Sequence, residues 1–172
     1  MEHERCAECG FDGSEYDDDA LLHALRALGP QWRVLLDTAG EDLRTRPAPA
    51  VWSALEYAAH SRDITAMHVV GVEAALPGDE PVVPEFDDNV VDEIAVGYAS
   101  EDPDAVLAAL DTQASTLAAV AADAGVESWG RGLTIGENRS DVRRLLEHAL
   151  HDSTHHLRDV EIGLVWLRSS SS

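Results

Sequence analysis

The chain has 172 residues, 33 of them acidic against 12 basic, for a formal net charge of -21, and is long enough for one domain with its own core. Such a charge repels phosphate backbones and anionic lipid, which argues against nucleic acid and membrane surfaces as partners. No run of about 18 apolar residues occurs, so no membrane span is expected. The polar, acidic N-terminus lacks a signal-peptide core, and two cysteines cannot make a disulfide framework, so a reducing cytoplasmic setting is expected.

Residues 1–16 read as an irregular lead-in. Cys6-Ala7-Glu8-Cys9 has the spacing of a zinc knuckle, in which two thiolates grip one ion from a tight turn. A structural zinc needs four ligands, no second CxxC follows, and His3 would be at best a third. The plainer reading is a surface turn with two free thiols.

The body of the domain, 17–168, reads as helices. Asp17–Arg44 is the first, with Asp17, Asp18 and Asp19 at its N-terminus and apolar residues at Leu21, Leu22, Leu25, Leu28, Trp32, Leu35 and Leu36. Gly29-Pro30 should kink or split it. A second helix starts near Ser53 and ends near Leu76. Trp52, Glu56, Ala59, His60, Asp63, Met67 and Val70 share one of its faces. A histidine and two carboxylates among apolar neighbours call for hydrogen-bond partners or a metal.

Pro77–Asn89 is an acidic connector with apolar patches (Val82, Val83, Phe86), long enough to lean over one end of the domain. Val90–Ala99 suits a short helix. Asp102-Pro103 caps a third long helix that ends at Gly125. Val126–Asn138, rich in glycine, reads as a β-like hairpin or an extended loop. Ser140 is the expected cap of a last helix running to about Leu167, and 169–172 is a disordered tail.

The last helix carries Glu147-His148-Ala149-Leu150-His151-Asp152-Ser153-Thr154-His155-His156-Leu157-Arg158-Asp159. At 100° per residue the buried face comprises Val142, Leu145, Leu146, Ala149, Leu150, Ser153, Leu157, Val160 and Leu164. His151 and His155 are four apart and could grip one ion, yet they project nearly opposite that face, as a partner surface or a solvated one. Asp152 and His156, also four apart, flank it, and Asp159 lies one turn further along the same edge. The favoured ligand pair is therefore Asp152 and His156, with His60 joining from the second helix and Asp159 fixing the imidazole tautomer. His151/His155 remains the alternative pair, and a bundle without metal the third reading.

Trp52-Ser53-Ala54-Leu55-Glu56-Tyr57-Ala58-Ala59-His60-Ser61-Arg62-Asp63, taken with His151–Val160, resembles the DinB-like superfamily, which includes mycothiol-dependent maleylpyruvate isomerases and bacillithiol and mycothiol transferases. The resemblance spans Asp17–Leu167. It implies an all-α four-helix bundle with the first two helices antiparallel, a long crossover, and one divalent ion between the second and fourth helices. His60 matches the family's histidine on the second helix, His156 its last ligand, and Asp159 the polar residue after it. Asp152 stands where members carry histidine or glutamate.

Two imidazoles and one carboxylate leave an open coordination position. Zinc suits this set best, with nickel, iron or manganese as alternatives. Such an ion lowers the pKa of bound water or holds a thiolate as nucleophile. Glu56, Asp63, His155 and Asp159 are candidates for acid–base or supporting roles. The expected function is a metal-dependent transferase or isomerase using a small-molecule substrate and a low-molecular-weight thiol. The alternative is a non-catalytic metal-binding bundle acting as a sensor or interaction protein, such as a homodimer.

Overall fold

The computed structural model describes residues 3–84 and 95–170. Four long helices make up the body: α1 (Asp18–Ala39), α2 (Ala54–Ala75), α3 (Pro103–Ala124) and α4 (Val142–Ser170). α3 and α4 each pack against both α1 and α2, which meet each other only slightly. The cyclic order is therefore α1–α3–α2–α4, with the consecutive helices α1 and α2 on opposite corners. The core is a single cluster centred on Leu21, Leu25, Leu28, Trp32, Leu55, Leu110, Leu117, Leu146 and Leu150. Inside it Trp32 Nε1 donates to Ser153 Oγ at 2.8 Å, so the one polar atom of the largest buried ring is satisfied.

The helix starts follow local chemistry. Asp17 Oδ1 accepts from Ala20 N, and Asp102 Oδ1 from Ala105 N ahead of Pro103. Ser53 and Glu56 form a reciprocal capping box at α2, the arrangement that satisfies two orphan N–H groups at once. α4 departs from expectation. Its cap is Asp141, the last residue of the preceding strand, whose Oδ1 accepts from Arg144 N at 2.9 Å, because the helix begins at Val142 and Ser140 lies one residue too early. α4 also runs on to Ser170, so Ser169 and Ser170 are helical where a tail was expected.

α1 continues through Pro30. The lost hydrogen bond is offset by the packing of Leu28, Trp32, Leu35 and Leu36 on either side of it. Gly29 allows α3 to come close, since a Cβ there would collide with Asp111. Beyond Gly40 the chain tightens into a 3-10 turn, Gly40–Arg44, which ends the first helix short of Arg44.

A small sheet is added to the all-α body. β2 (Gly132–Ile135) and β3 (Asn138–Asp141) form a hairpin, and β1 (Val82–Val83) pairs parallel to β2. The glycine-rich run is thus a true hairpin, and part of the acidic connector is tied to it. The first half of the short helix expected over Val90–Ala99, and Phe86, lie outside the described residues. α3 is long and apolar enough to cross a membrane by length and composition alone. Its apolar stripe, including Val106, Leu110, Leu117 and Ala121, is buried against the other helices.

The lead-in is ordered along α4. A tiny hairpin closes between Arg5 and Asp12. Glu147, fully buried, receives Arg143 Nε at 2.6 Å, Glu4 N at 2.8 Å and His3 Nδ1 at 2.7 Å. Burial pushes its carboxyl up, but Arg143, the Glu4 N–H and His3 together hold it below the usual range. His3 is therefore spent on Glu147. Gly13 carries no side chain because a Cβ would strike the same carboxylate.

Two predictions follow from these buried charges. Glu147→Ala takes from the buried Arg143 guanidinium one of its two carboxylate partners, Asp18 remaining, and strips the Glu4 N–H of its acceptor, and should cost about 1–3 kcal/mol in urea unfolding. His68, 9% exposed, donates Nδ1–H to Ile64 O at 2.7 Å, and burial, then His148, bring its pKa down to about 4. Between pH 6.5 and 4 the unfolded chain takes up this proton first, so stability is whole above pH 6.5 and falls with pH through that window. His68→Leu should remove this component, about 3 kcal/mol at most, and flatten the urea midpoint between pH 4 and 6.5.

Candidate metal centre

α2 and α4 lie side by side and bring His60, Asp152 and His156 together. One donor atom from each falls within 4.8 Å of the others. His60 Nε2 is 3.7 Å and His156 Nε2 3.6 Å from Asp152 Oδ1, both too long for ordinary hydrogen bonds. The side chains are only 12%, 17% and 19% exposed in that order. The Asp152/His156 pair works because residues four apart on one helix share a face, and the capping box at Ser53 fixes where His60 meets them.

Asp152 Oδ2 is buried and has no hydrogen-bond partner among the described residues. Buried polar atoms are almost always satisfied; with Oδ2 unpartnered among the described residues and Oδ1 facing both imidazoles beyond hydrogen-bond reach, the carboxylate is placed as a cation ligand would be. Burial pushes the Asp152 carboxyl up, but His60 and then His156 outweigh it and hold it below the ordinary value. The His156 imidazole is brought down by burial, against the opposing pull of Asp152 and Asp159.

The surrounding residues fix the two rings. Asp159 Oδ2 lies 2.9 Å from His156 Nδ1, which puts the proton on Nδ1 and leaves Nε2 as the free donor atom. Tyr57 stacks on His156 with ring centroids 4.9 Å apart, and Trp52 packs on His60 at 5.2 Å. Tyr57 escaped the sequence reading, although its place one turn ahead of His60 on the same helix could have flagged it. Burial, then the Asp159 charge, raise its phenol.

The other candidates are placed differently. Both Glu56 oxygens are taken by Arg46 and Ser53, so Glu56 holds the start of α2 and does not join the triad. Asp63 pairs with Arg62 at 2.7 Å and accepts from Tyr98 OH at 2.8 Å, and Arg62 reaches Glu101. This group braces α2 against the segment before α3. His151 and His155 are neither solvated nor a bare partner surface; their side chains are 15% and 23% exposed and lie beneath the lead-in. Cys6 and Cys9 are both part-buried there. The Cys6 thiol is lowered to about 6, chiefly by the Cys9 backbone N–H, with burial opposing and His151 and His155 assisting. Burial raises Cys9.

Two cavities are lined without any residue of the triad. One of about 810 Å³ is lined by Glu4, His68, Arg139, Arg144 and His148, and one of about 840 Å³ runs along α1 and α4. A smaller groove of about 350 Å³, lined by Pro47, Ala48, Val51, Tyr57, Asp159 and Trp166, reaches the two residues that hold His156.

The family profile of the DinB superfamily matches residues 19–160. Among curated proteins none matches the chain by sequence. Among solved structures, YfiT from Bacillus subtilis, described as a probable metal-dependent hydrolase with an unusual four-helix bundle topology, is similar with a TM-score of 0.76. The two are 15% identical over 85% of each chain. A mycothiol-dependent maleylpyruvate isomerase is similar at TM-score 0.67 and 14% identity, over 86% of this chain and 62% of the isomerase. A histidine-to-alanine variant of a mycothiol-dependent maleylpyruvate isomerase gives 0.68, at 12% identity over the same shares of the two chains. At these identities the likeness is one of fold.

Proposed function

Since the chain belongs to the DinB superfamily, we propose that it is a metal-dependent enzyme whose divalent ion is held by His60, Asp152 and His156. The observation that carries this reading is the buried Asp152 carboxylate, its Oδ2 unpartnered among the described residues and its Oδ1 facing two imidazoles that are too far away to hydrogen-bond it. Among the described residues no fourth His, Cys, Asp or Glu joins the same cluster. Three protein ligands with a position left open are the pattern of a catalytic ion rather than a structural one. Zinc fits two imidazoles and a carboxylate best, with nickel, iron and manganese as the competing ions.

The reaction we assign is transfer or isomerisation that depends on a low-molecular-weight thiol and acts on a small electrophile. The mycothiol-dependent isomerase of similar fold supports the thiol; the description of YfiT supports the metal. When bound, the ion supplies Lewis acidity at an open position, where the pKa of a thiol or water falls toward neutrality. The chain's own groups do the rest. Asp159 keeps the proton on His156 Nδ1. Tyr57, its phenol raised by burial, stays protonated at neutral pH and offers an O–H donor at the lip of the groove. Val51 and Trp166 give that groove an apolar wall for the body of a substrate.

Metal analysis of protein purified without tag or chelator tests the site. His60→Ala and His156→Ala should each lose one equivalent of divalent metal relative to wild type, and Asp159→Asn should weaken its binding about 10–100-fold. An unchanged metal content in both alanine variants would overturn the assignment. Thiol consumption with a panel of small electrophiles tests the reaction. Turnover by wild type and its loss in Asp152→Ala support it, whereas equal rates in the two proteins rule it out.

A further inference from the structure

We propose that Cys6, Cys9, His151 and His155 form a second, structural zinc site that fastens the lead-in to α4. One donor atom from each of the four lies within 4.8 Å of the others. Zinc takes sulfur at about 2.3 Å and imidazole nitrogen at about 2.0–2.1 Å, which puts tetrahedral ligands about 3.3–3.8 Å apart. Closing the cluster onto an ion therefore needs shifts of an ångström or less. C-x2-C and H-x3-H are both ligand spacings of Cys2His2 zinc sites.

The backbone is shaped for it. Gly10 N donates to Cys6 O at 2.9 Å and Cys6 N to Phe11 O at 2.9 Å, so both thiols come from one tight turn. Gly10 takes φ +82 with no atom near its Cβ position; the conformation, not space, demands glycine there. Phe11 lies over the His151 ring at 5.2 Å, and Arg158 Nη1 donates to Glu8 O at 2.7 Å. The turn is thus held against α4 from both ends.

The two histidines are oriented as ligands. His151 Nδ1 is 3.1 Å from Glu4 Oε1, while its Nε2 is buried with no hydrogen-bond partner among the described residues. His155 Nδ1 is 3.7 Å from Cys6 Sγ, and its Nε2 faces the carboxylates of Glu8 at 3.9 Å and Asp159 at 3.7 Å. Each imidazole thus keeps one nitrogen for an ion; the other is backed by a carboxylate within hydrogen-bond reach at His151, as metal-bound histidines are, and by two carboxylates just beyond that reach at His155. Two thiolates, two neutral imidazoles and Zn²⁺ make a neutral unit, which suits a half-buried place. Four protein ligands close the sphere, so the site takes no substrate. It shares no ligand with the His60 triad and stands or falls separately from it.

Cobalt loading of the full chain reads the site directly. Wild type and the His60→Ala/His156→Ala double variant should both show thiolate-to-cobalt charge transfer and intense tetrahedral d–d bands. Cys6→Ser and Cys9→Ser should lose the charge transfer or halve it. In unmutated, zinc-loaded protein both thiols should resist a thiol reagent until a chelator is added, a readout that needs no variant to fold. Absence of charge transfer in wild type, or two thiols that react freely at saturating zinc, overturns the proposal whatever metal the triad holds.

Discussion

A carboxylate taken out of water has to be met by positive charge or by hydrogen-bond donors, and Asp152 is met by neither in full. It stands in the seam between α2 and α4, with His60 on one side and His156 one turn further along its own helix. Much of the local architecture serves that seam. Arg46, Ser53 and Glu56 lock the start of α2 and so set the height of His60. Trp52 and Tyr57 pack the two imidazoles from outside. Trp32, through Ser153, pins the adjoining side of α4 to the core.

α4 is asked to satisfy three environments at once. Leu146, Leu150 and Val160 face the core. Asp152 and His156 face α2. His151, His155 and Glu147 face a lead-in that is folded onto them. A helix advances about 100° per residue, so neighbours such as His151 and Asp152, or His155 and His156, necessarily serve different sides. This is why one short histidine-rich segment yields two distinct clusters rather than one crowded site.

That geometry also explains what could be read in the sequence. The bundle was legible because its helices carry strong caps and long apolar stripes, as at Asp17, Ser53 and Asp102. The triad's geometry was legible because Asp152 and His156 flank the apolar stripe of α4, where a neighbouring helix must lie. What escaped depended on distant chain. His151 and His155 point away from the stripe, and a wheel has no means of showing that residues about 145 positions earlier cover them. Glu56 looked like a site carboxylate from its face, but its place three residues after Ser53 made it a cap. Ser140 looked like a cap, but the helix begins one residue later than its pattern suggested, at Val142, which gives the role to Asp141.

The aspartate at position 152 bears on the charge balance of the proposed centre. An aspartate side chain is a methylene shorter than glutamate, so a shared ion requires α2 and α4 to approach closely, and both imidazole nitrogens lie within 3.7 Å of its carboxylate. A dication held by one carboxylate and two neutral imidazoles keeps one positive charge. Asp159, 2.9 Å behind His156, supplies the balancing negative charge without occupying a coordination position. The same carboxylate lies 3.7 Å from His155, so one aspartate stands between the two clusters. Asp159 thus balances the charge left on the triad ion, whereas the two thiolates by themselves neutralise the second.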